Sequence, residues 1–466
     1  MKNAYLILFL LGAGYSSFAQ QFSLYNTRTL FDSFENPSQK AFIADTAKKY
    51  SFNFFIPTVS VNTAAIGPAQ PYIKRLAYEG ILNAQGISLG EEERNKILLN
   101  SNTYLMMFRV FRSVKNHREM GFGWQIKSDS YIDATNETLA IFKNFKSFTP
   151  DLASNLFDNS AISQTYHQFS FVYREDWNRR LGIGLKLSYL SGIAHNQLKI
   201  KSSSLSVNQT QNSYTLNLDG KFESNFEYNE LEGSMAIPGF KNPGVALTLS
   251  GNYQLPYGWF LLGNIKDLGF IKWHKESYNY TFDRSITINN ASSPDAAKRL
   301  SNELSKFISK DYENKSFTSM INGKAEIMVN KNLGLYQPNF LISKSFLFPG
   351  ADIALINNIS YGKSVFSVSS AYNTINYFQL GGQYMFKSPN FELFMGSDNI
   401  FKTYYFTKGF INEDSEIGNG YTGASVYFGL AVKFGPAMQR RANSTIIPGV
   451  DNVATGGFFR RLFRRN

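Results

Sequence analysis

Stretches of about ten residues that alternate apolar and polar run through most of the chain, separated by turn residues. Leu181, Ile183, Leu185, Leu187 and Tyr189 alternate with Arg180, Gly182, Gly184, Lys186 and Ser188. Phe378, Leu380, Gly382, Tyr384 and Phe386 alternate with Gln379, Gly381, Gln383, Met385 and Lys387, and the pattern returns at Val426, Phe428, Leu430, Val432 and Phe434. Successive side chains of a strand point to opposite faces, so each stretch has one apolar face and one polar, glycine-rich face. In a bilayer the apolar face meets lipid and the other lines a wet lumen. The sheet must close, because each unpaired backbone group in hydrocarbon costs several kcal/mol. The pattern predicts an all-β fold, a transmembrane antiparallel β-barrel.

Candidate strands fall near 50–62, 101–113, 118–130, 164–174, 180–191, 195–206, 213–227, 244–254, 258–267, 270–287, 314–329, 333–347, 350–361, 364–374, 377–387, 390–400 and 424–434. Single-chain bacterial barrels use even numbers of strands, so at least one candidate lies outside the wall; about 14–16 strands are expected. Short turns at 115–118, 176–179, 255–258 and 388–390 read as periplasmic hairpins, and the longer connections as outer loops. Three of those connections carry helical patterns: 73–84 with a second piece from Glu91, a short helix capped by Asn136, and one opened by Ser293-Pro294. Strand parity leaves open the side on which the third lies.

The ends differ from the middle. Lys2, the apolar run Ala4–Leu11 and Ser17-Phe18-Ala19 form a secretory signal over 1–19. Residues 20–49 are irregular and contain Asn36-Pro37-Ser38, a turn signal. The barrel is expected over 50–434. Residues 435–466 form a basic periplasmic tail with six arginines against one aspartate. Its end, Phe459, Arg460, Arg461, Leu462, Phe463, Arg464 and Arg465, would as a helix place apolar residues opposite arginines, a pattern suited to an anionic surface, peptidoglycan or a periplasmic protein; the alternative is a disordered basic tail.

Composition agrees with an exported membrane barrel. Aromatic residues make up 16%, charged residues only 18%, and cysteine is absent, which removes thiolate metal sites and lipid anchoring through cysteine. Of the net charge of +12, the tail holds +5 and the rest is spread thinly over the chain, with no basic stripe interleaved with stacking aromatics, so no nucleic-acid partner is expected. The four histidines are scattered, without metal spacing, and no nucleotide or calcium loop is present. No enzyme activity, cofactor or metal is expected. The glycine pairs Gly121/Gly123 and Gly182/Gly184 read as small lumen residues that relieve crowding. Asp267 and Asp398 read as strand-end residues bonded to the backbone. Tyr72, Trp177, Tyr257, Trp259, Trp273, Tyr404 and Tyr405 read as interfacial girdles.

The ending Phe18-Ala19-Gln20, the Asn36-Pro37 segment and Lys266-Asp267-Leu268-Gly269-Phe270-Ile271-Lys272-Trp273 resemble a Bacteroidota outer-membrane barrel family, domain of unknown function 5723. Ser397-Asp398-Asn399-Ile400-Phe401 before a loop and last strand resembles a common barrel ending of that phylum. More distantly, the layout is similar to long-chain fatty-acid transporters and to the shuttle barrel of the type IX secretion system. Those carry Asn-Pro-Ala where a hatch enters the barrel; here Ser38 replaces the alanine. The resemblance implies an outer-membrane barrel with Asn36 and Pro37 in a hatch, and passage of a small hydrophobic or amphipathic ligand. Such a transporter should have a continuous apolar pocket around the hatch. The alternative is a scaffold or docking subunit of an envelope or secretion complex, acting through the tail.

Overall fold

The computed structural model describes residues 22–42, 47–81, 86–90, 93–113, 117–142, 147–148, 153–227, 237–307 and 312–437. The chain first enters a short helix, α1 (Leu30–Glu35), and then the sheet. β1 (Lys48–Phe52) and β2 (Thr58–Ile66) are two halves of one wall strand. They are followed by β3 (Arg94–Ser113), β4 (Arg118–Thr135), β5 (Ala153–Ser154), β6 (Ser160–Asp176), β7 (Leu181–Asn208), β8 (Ser213–Ser224), β9 (Pro243–Gln254) and β10 (Trp259–Lys272). β11 (Tyr278–Ile288), β12 (Glu313–Asn314), β13 (Thr318–Met320), β14 (Lys324–Lys331), β15 (Tyr336–Ser345), β16 (Asp352–Tyr361), β17 (Ser364–Asn373), β18 (Tyr377–Lys387), β19 (Phe391–Ser397) and β20 (Thr422–Ala437) complete it. β20 pairs antiparallel with both β1 and β2, which closes the barrel.

Fourteen wall positions result. The seventeen candidates shrink for a physical reason in each case. The stretches 180–191 and 195–206 are one 28-residue strand, β7. Its first half pairs with β9 in the wall; its second half outruns the bilayer and pairs with β8, which pairs in turn with β11. β8 and β11 therefore stand above the wall, and their inner faces join an apolar cluster with Leu139, Phe148, Phe157 and Leu300. With an even wall, 67–93, 136–159, 192–242, 273–317 and 398–421 share one end with the shorter connections 346–351 and 374–376, and the turns 177–180, 255–258, 332–335, 362–363 and 388–390 lie at the other, so the third helix (Ala296–Phe307) lies with the other long connections. A closed antiparallel barrel with short turns at one end and long loops at the other fits an outer-membrane location.

Wall faces follow the alternation. On β16, Ile353, Leu355 and Ile359 face out, whereas Asp352, Ala354, Ile356 and Asn358 are buried inside. The first wall strand is interrupted at 53–57, where Phe54, Phe55 and Ile56 project outward. Asn53 keeps the seam paired: its Oδ1 accepts from the Met107 amide (2.9 Å) and its Nδ2 donates to the Leu105 carbonyl (3.2 Å).

Three local expectations are corrected. Where a second helical piece was expected from Glu91, β3 begins at Arg94. Asn136 is not a cap but the first helical residue of Asn136–Ala140, and its side chain bonds Ser88 and Asn95. The candidate strand 390–400 stops at Ser397, and the chain continues as a helix, Ile400–Asn412, that the alternation did not reveal. This helix stands in for the outer half of β19 between β18 and β20. Thr403 Oγ1 accepts from the amide of Ser425 (2.8 Å) on β20 and lies 3.1 Å from its carbonyl oxygen, replacing a ladder partner. Tyr421 of the same loop donates to the Phe378 carbonyl of β18. Thr403→Val removes the partner of the buried Ser425 amide, and an expected loss of about 1–3 kcal/mol should appear as a lower urea midpoint for barrel unfolding, read by heat-modifiable gel mobility.

Candidate functional site

Residues 22–42 lie inside the barrel. They touch strands on opposite sides of it: Phe22 packs with Phe260, Met328 and Ile356, and Leu30, Phe31 and Phe34 pack with Tyr104, Val172, Phe394 and Tyr427. α1 is set by Thr29, whose side chain accepts from the Asp32 amide (3.1 Å), and ends at Asn36. Beyond it the segment is irregular, so its backbone groups need partners from elsewhere. The wall supplies them. Arg109 donates to the carbonyls of Ser33, Pro37 and Gln39, and Arg174 Nε (2.9 Å) and Asn252 Nδ2 (2.5 Å) donate to Ser38 O. Wall acids take the amides: Glu392 accepts from Leu30 N (2.7 Å), Glu119 from Ala41 N (3.2 Å) and Asp398 from Phe22 N (3.1 Å). The wall thus replaces the hydrogen bonds that a ladder would have given.

The glycine pairs have a more specific role than relief of crowding. A Cβ on Gly184 would meet the Pro37–Ser38 peptide at 2.1–2.2 Å, and one on Gly123 would meet the Phe34 ring at 2.8 Å. Gly121, Gly123 and Gly184 are the seat on which the interior segment rests, whereas Gly182 makes room for Asn252 and Arg174 of the wall.

Asn36 and Pro37 lie in this segment. Asn36 Oδ1 accepts from Asn264 Nδ2 (2.6 Å) and its Nδ2 donates to Asp32 Oδ1 (2.6 Å). Asp267 is not at a strand end. It sits in a bulge of β10 where the register shifts, with φ near 51°, so that Lys266 and Asp267 both point inward. Lys127 (2.7 Å) and Lys186 (3.3 Å) pair with its carboxylate, Gln168 (2.9 Å) and Thr248 (3.2 Å) donate to it, and Lys266 pairs with Glu326 (2.7 Å). Leu268 faces out, and Gly269 makes room for the carbonyl of Val245. Trp273 is not interfacial: it is fully buried, packs with Tyr166, Leu190 and Ile321, and donates to Ser319 Oγ (2.8 Å). Asn399 caps the Ile400–Asn412 helix through Lys402 N (3.3 Å). Tyr257 and Trp259 are exposed at the short-turn end, as a girdle requires. The signal (1–19) and tail residues Phe459, Arg460, Arg461, Leu462, Phe463, Arg464 and Arg465 lie outside the described residues. Sequence reasoning missed Arg109, Arg174 and Glu392, whose partners are distant in the chain.

A cavity of about 70 Å³ remains beside the segment. Leu24, Tyr25 and Phe31 of the segment form one side; Asn102, Lys127, Asp129, Lys266, Asp267 and Glu326 of the wall form much of the other. A second, smaller space toward the loops shares Asn100, Asn322 and Lys324 with it. The expected continuous apolar pocket is not found among the described residues, because the inward wall residues here are amides and charged groups.

Within the segment, burial pushes the Asp32 carboxyl up to about 6, against hydrogen bonds from Asn36 and Arg28. Burial would raise Glu35 too, but Lys186, Lys266 and Lys127 outweigh it and hold that carboxyl at about 2. A lowered carboxyl contributes stability above its ordinary value near 4.5 and loses it as pH falls toward about 2. Asp32, shifted the other way, penalises the seated state above about 6, and the penalty is lifted as pH falls from about 6 toward its ordinary 3.8, so it does not drive release in acid. Conductance of the reconstituted barrel should therefore rise as pH falls from 4.5 toward about 2, and Glu35→Gln should show a higher baseline and a weaker acid response.

Together these features define a closed membrane barrel with its own N-terminal segment held in the lumen by polar contacts. The chain belongs to the family of unknown function DUF5723, whose model matches residues 42–398. No curated protein matches the chain. Among solved structures it is similar to the P. putida toluene transporter TodX (6% identity, TM-score 0.39, covering 86% of this chain and 93% of that one). It is also similar to a Pseudomonas aeruginosa FadL homologue (10%, 0.40, 88% and 95%) and a mutant Rh. blastica porin (6%, 0.23, 84% and 99%). At these values the likenesses bear on neither ligand nor mechanism.

Proposed function

We propose that the protein binds a small amphipathic ligand and lets it cross the outer membrane, with residues 22–42 as the hatch. One observation carries this reading. The segment fills the lumen yet belongs to no ladder of the wall, so it can leave or shift without breaking a wall strand pair. Its polar contacts with the wall are separate hydrogen bonds and ion pairs, some to its backbone and some to its side chains, each worth about 0.5–1.5 kcal/mol, or about 1.5–3 where a charged group takes part. The cavity beside it sets Leu24 and Phe31 against charged and amide groups, which suits an amphipathic rather than a wholly apolar ligand.

Uptake of labelled medium-chain amphiphiles by proteoliposomes tests the reading. Uptake above that of empty liposomes, changed by alterations in 22–42, is the expected result. Uptake equal to empty liposomes with and without the segment would contradict it. Loss of co-purifying envelope proteins on removal of 436–466 would then favour the docking role instead.

A further inference from the structure

Among the described residues, the cavity beside the hatch carries two buried acceptor atoms without a hydrogen-bond partner and one half-buried ammonium group without a close ion pair. Asp129, nine-tenths buried in β4, takes amide donors on Oδ1 only, from Asn100 (2.8 Å) and Asn322 (3.3 Å); its Oδ2 has no hydrogen-bond partner among the described residues. Asn102, equally buried in β3, gives its Nδ2 to Glu35 (2.9 Å), and its Oδ1 has no partner either. Lys324, at the junction of the two spaces, makes no ion pair within 4 Å among the described residues, whereas Lys127 and Lys266 are already paired to Asp267 and Glu326. Five carboxylates and three ammonium groups line the cavity.

A buried acceptor without a donor costs free energy, more so when charged. Two open acceptors in a cavity with surplus negative charge call for a cationic donor. A primary ammonium has three N–H groups and fits that need. The open ammonium of Lys324 calls for an anion in the same cavity. The apolar sides of Leu24 and Phe31 leave a place for a hydrocarbon group. We infer that the cavity is a binding site for a small zwitterion with an apolar side chain, of the amino-acid type. Its ammonium group is taken by Asp129 and Asn102, and its carboxylate by Lys324. This rests on the reading of the barrel as a binder of amphipathic ligands and names the head-group chemistry.

Calorimetric titration of the purified full chain tests it, because binding is read without passage. The probes are L-leucine, isoamylamine, which lacks the carboxylate, and 4-methylpentanoate, which lacks the ammonium. Leucine should bind saturably, and each analogue at least about tenfold more weakly, as expected for loss of one buried charge contact. Asp129→Asn should weaken leucine and isoamylamine at least about tenfold and leave 4-methylpentanoate unchanged; Lys324→Gln should weaken leucine and the anion but not the amine. A variant that merely unfolds loses all three probes, and the other variant then decides. Absence of leucine binding to the wild-type chain, or either analogue binding as tightly as leucine, overturns the site. Leucine binding without uptake by proteoliposomes would keep the site and remove the passage.

Discussion

Deletion of residues 22–42 is expected to turn a closed barrel into a conducting one. The wall does not need the segment: the first wall strand starts at Lys48, and every wall neighbour is held by its own ladder. Lys127–Asp267, Lys266–Glu326 and Lys433–Glu392 are pairs between wall residues and persist without it. What disappears is the packing of Phe22, Leu30, Phe31 and Phe34 across the lumen. Fourteen strands lie between the eight whose interior side chains fill and the sixteen or more that leave an aqueous channel. With the segment gone, water enters beside the inward amides and charges. Single-channel conductance should rise by at least about an order of magnitude, with the heat-modifiable mobility of a folded barrel kept. A folded deletion variant with unchanged conductance would show that other groups close the lumen.

Arg109→Ala is the second large effect. Arg109 and Glu119 are both fully buried and 2.8 Å apart, and the same guanidinium holds three carbonyls of the interior segment. Alanine leaves Glu119 with His117 (2.8 Å) as the basic group within ion-pair distance among the described residues. Removing one member of a buried pair costs about 3–5 kcal/mol. The cost falls on the seated state, where Glu119 is dry, and would be relieved by a displacement of the interior segment that lets water reach it. The open fraction should rise by roughly a hundredfold or more, seen as frequent openings and as protease cleavage within 22–42. Arg109→Lys keeps the charge but loses the fork that reaches several carbonyls, so its effect should be intermediate.

The wall was legible in the sequence because each strand writes its own alternation, and the fourteen positions follow once the long β7 is seen to outrun the bilayer. The helix Ile400–Asn412 was not legible. Its apolar residues Ile400, Phe401, Tyr404, Tyr405, Phe410 and Ile411 are exposed on the outside of the barrel, so it has no polar outer face to mark a helical period. Asp267 was misread because the bulge that turns two consecutive side chains inward leaves no mark on the pattern. The turn at Asn36-Pro37 was visible, but its seat was not: Pro37 meets Gly184 and Ser33 meets Arg109 only after the barrel has closed.

The cysteine-free chain permits a direct test of the proposal that the interior segment moves. Ser38 and Ser250 lie with their hydroxyl oxygens 2.6 Å apart, one on the hatch and one on the wall, so cysteines at both positions are within reach of a disulfide. Conductance of Ser38→Cys/Ser250→Cys in planar bilayers at acid pH, oxidised and then reduced, is the measurement. Openings that vanish on oxidation and return with reductant are the predicted result. Identical records in the two states, open or silent, would contradict a hatch that moves to open the barrel.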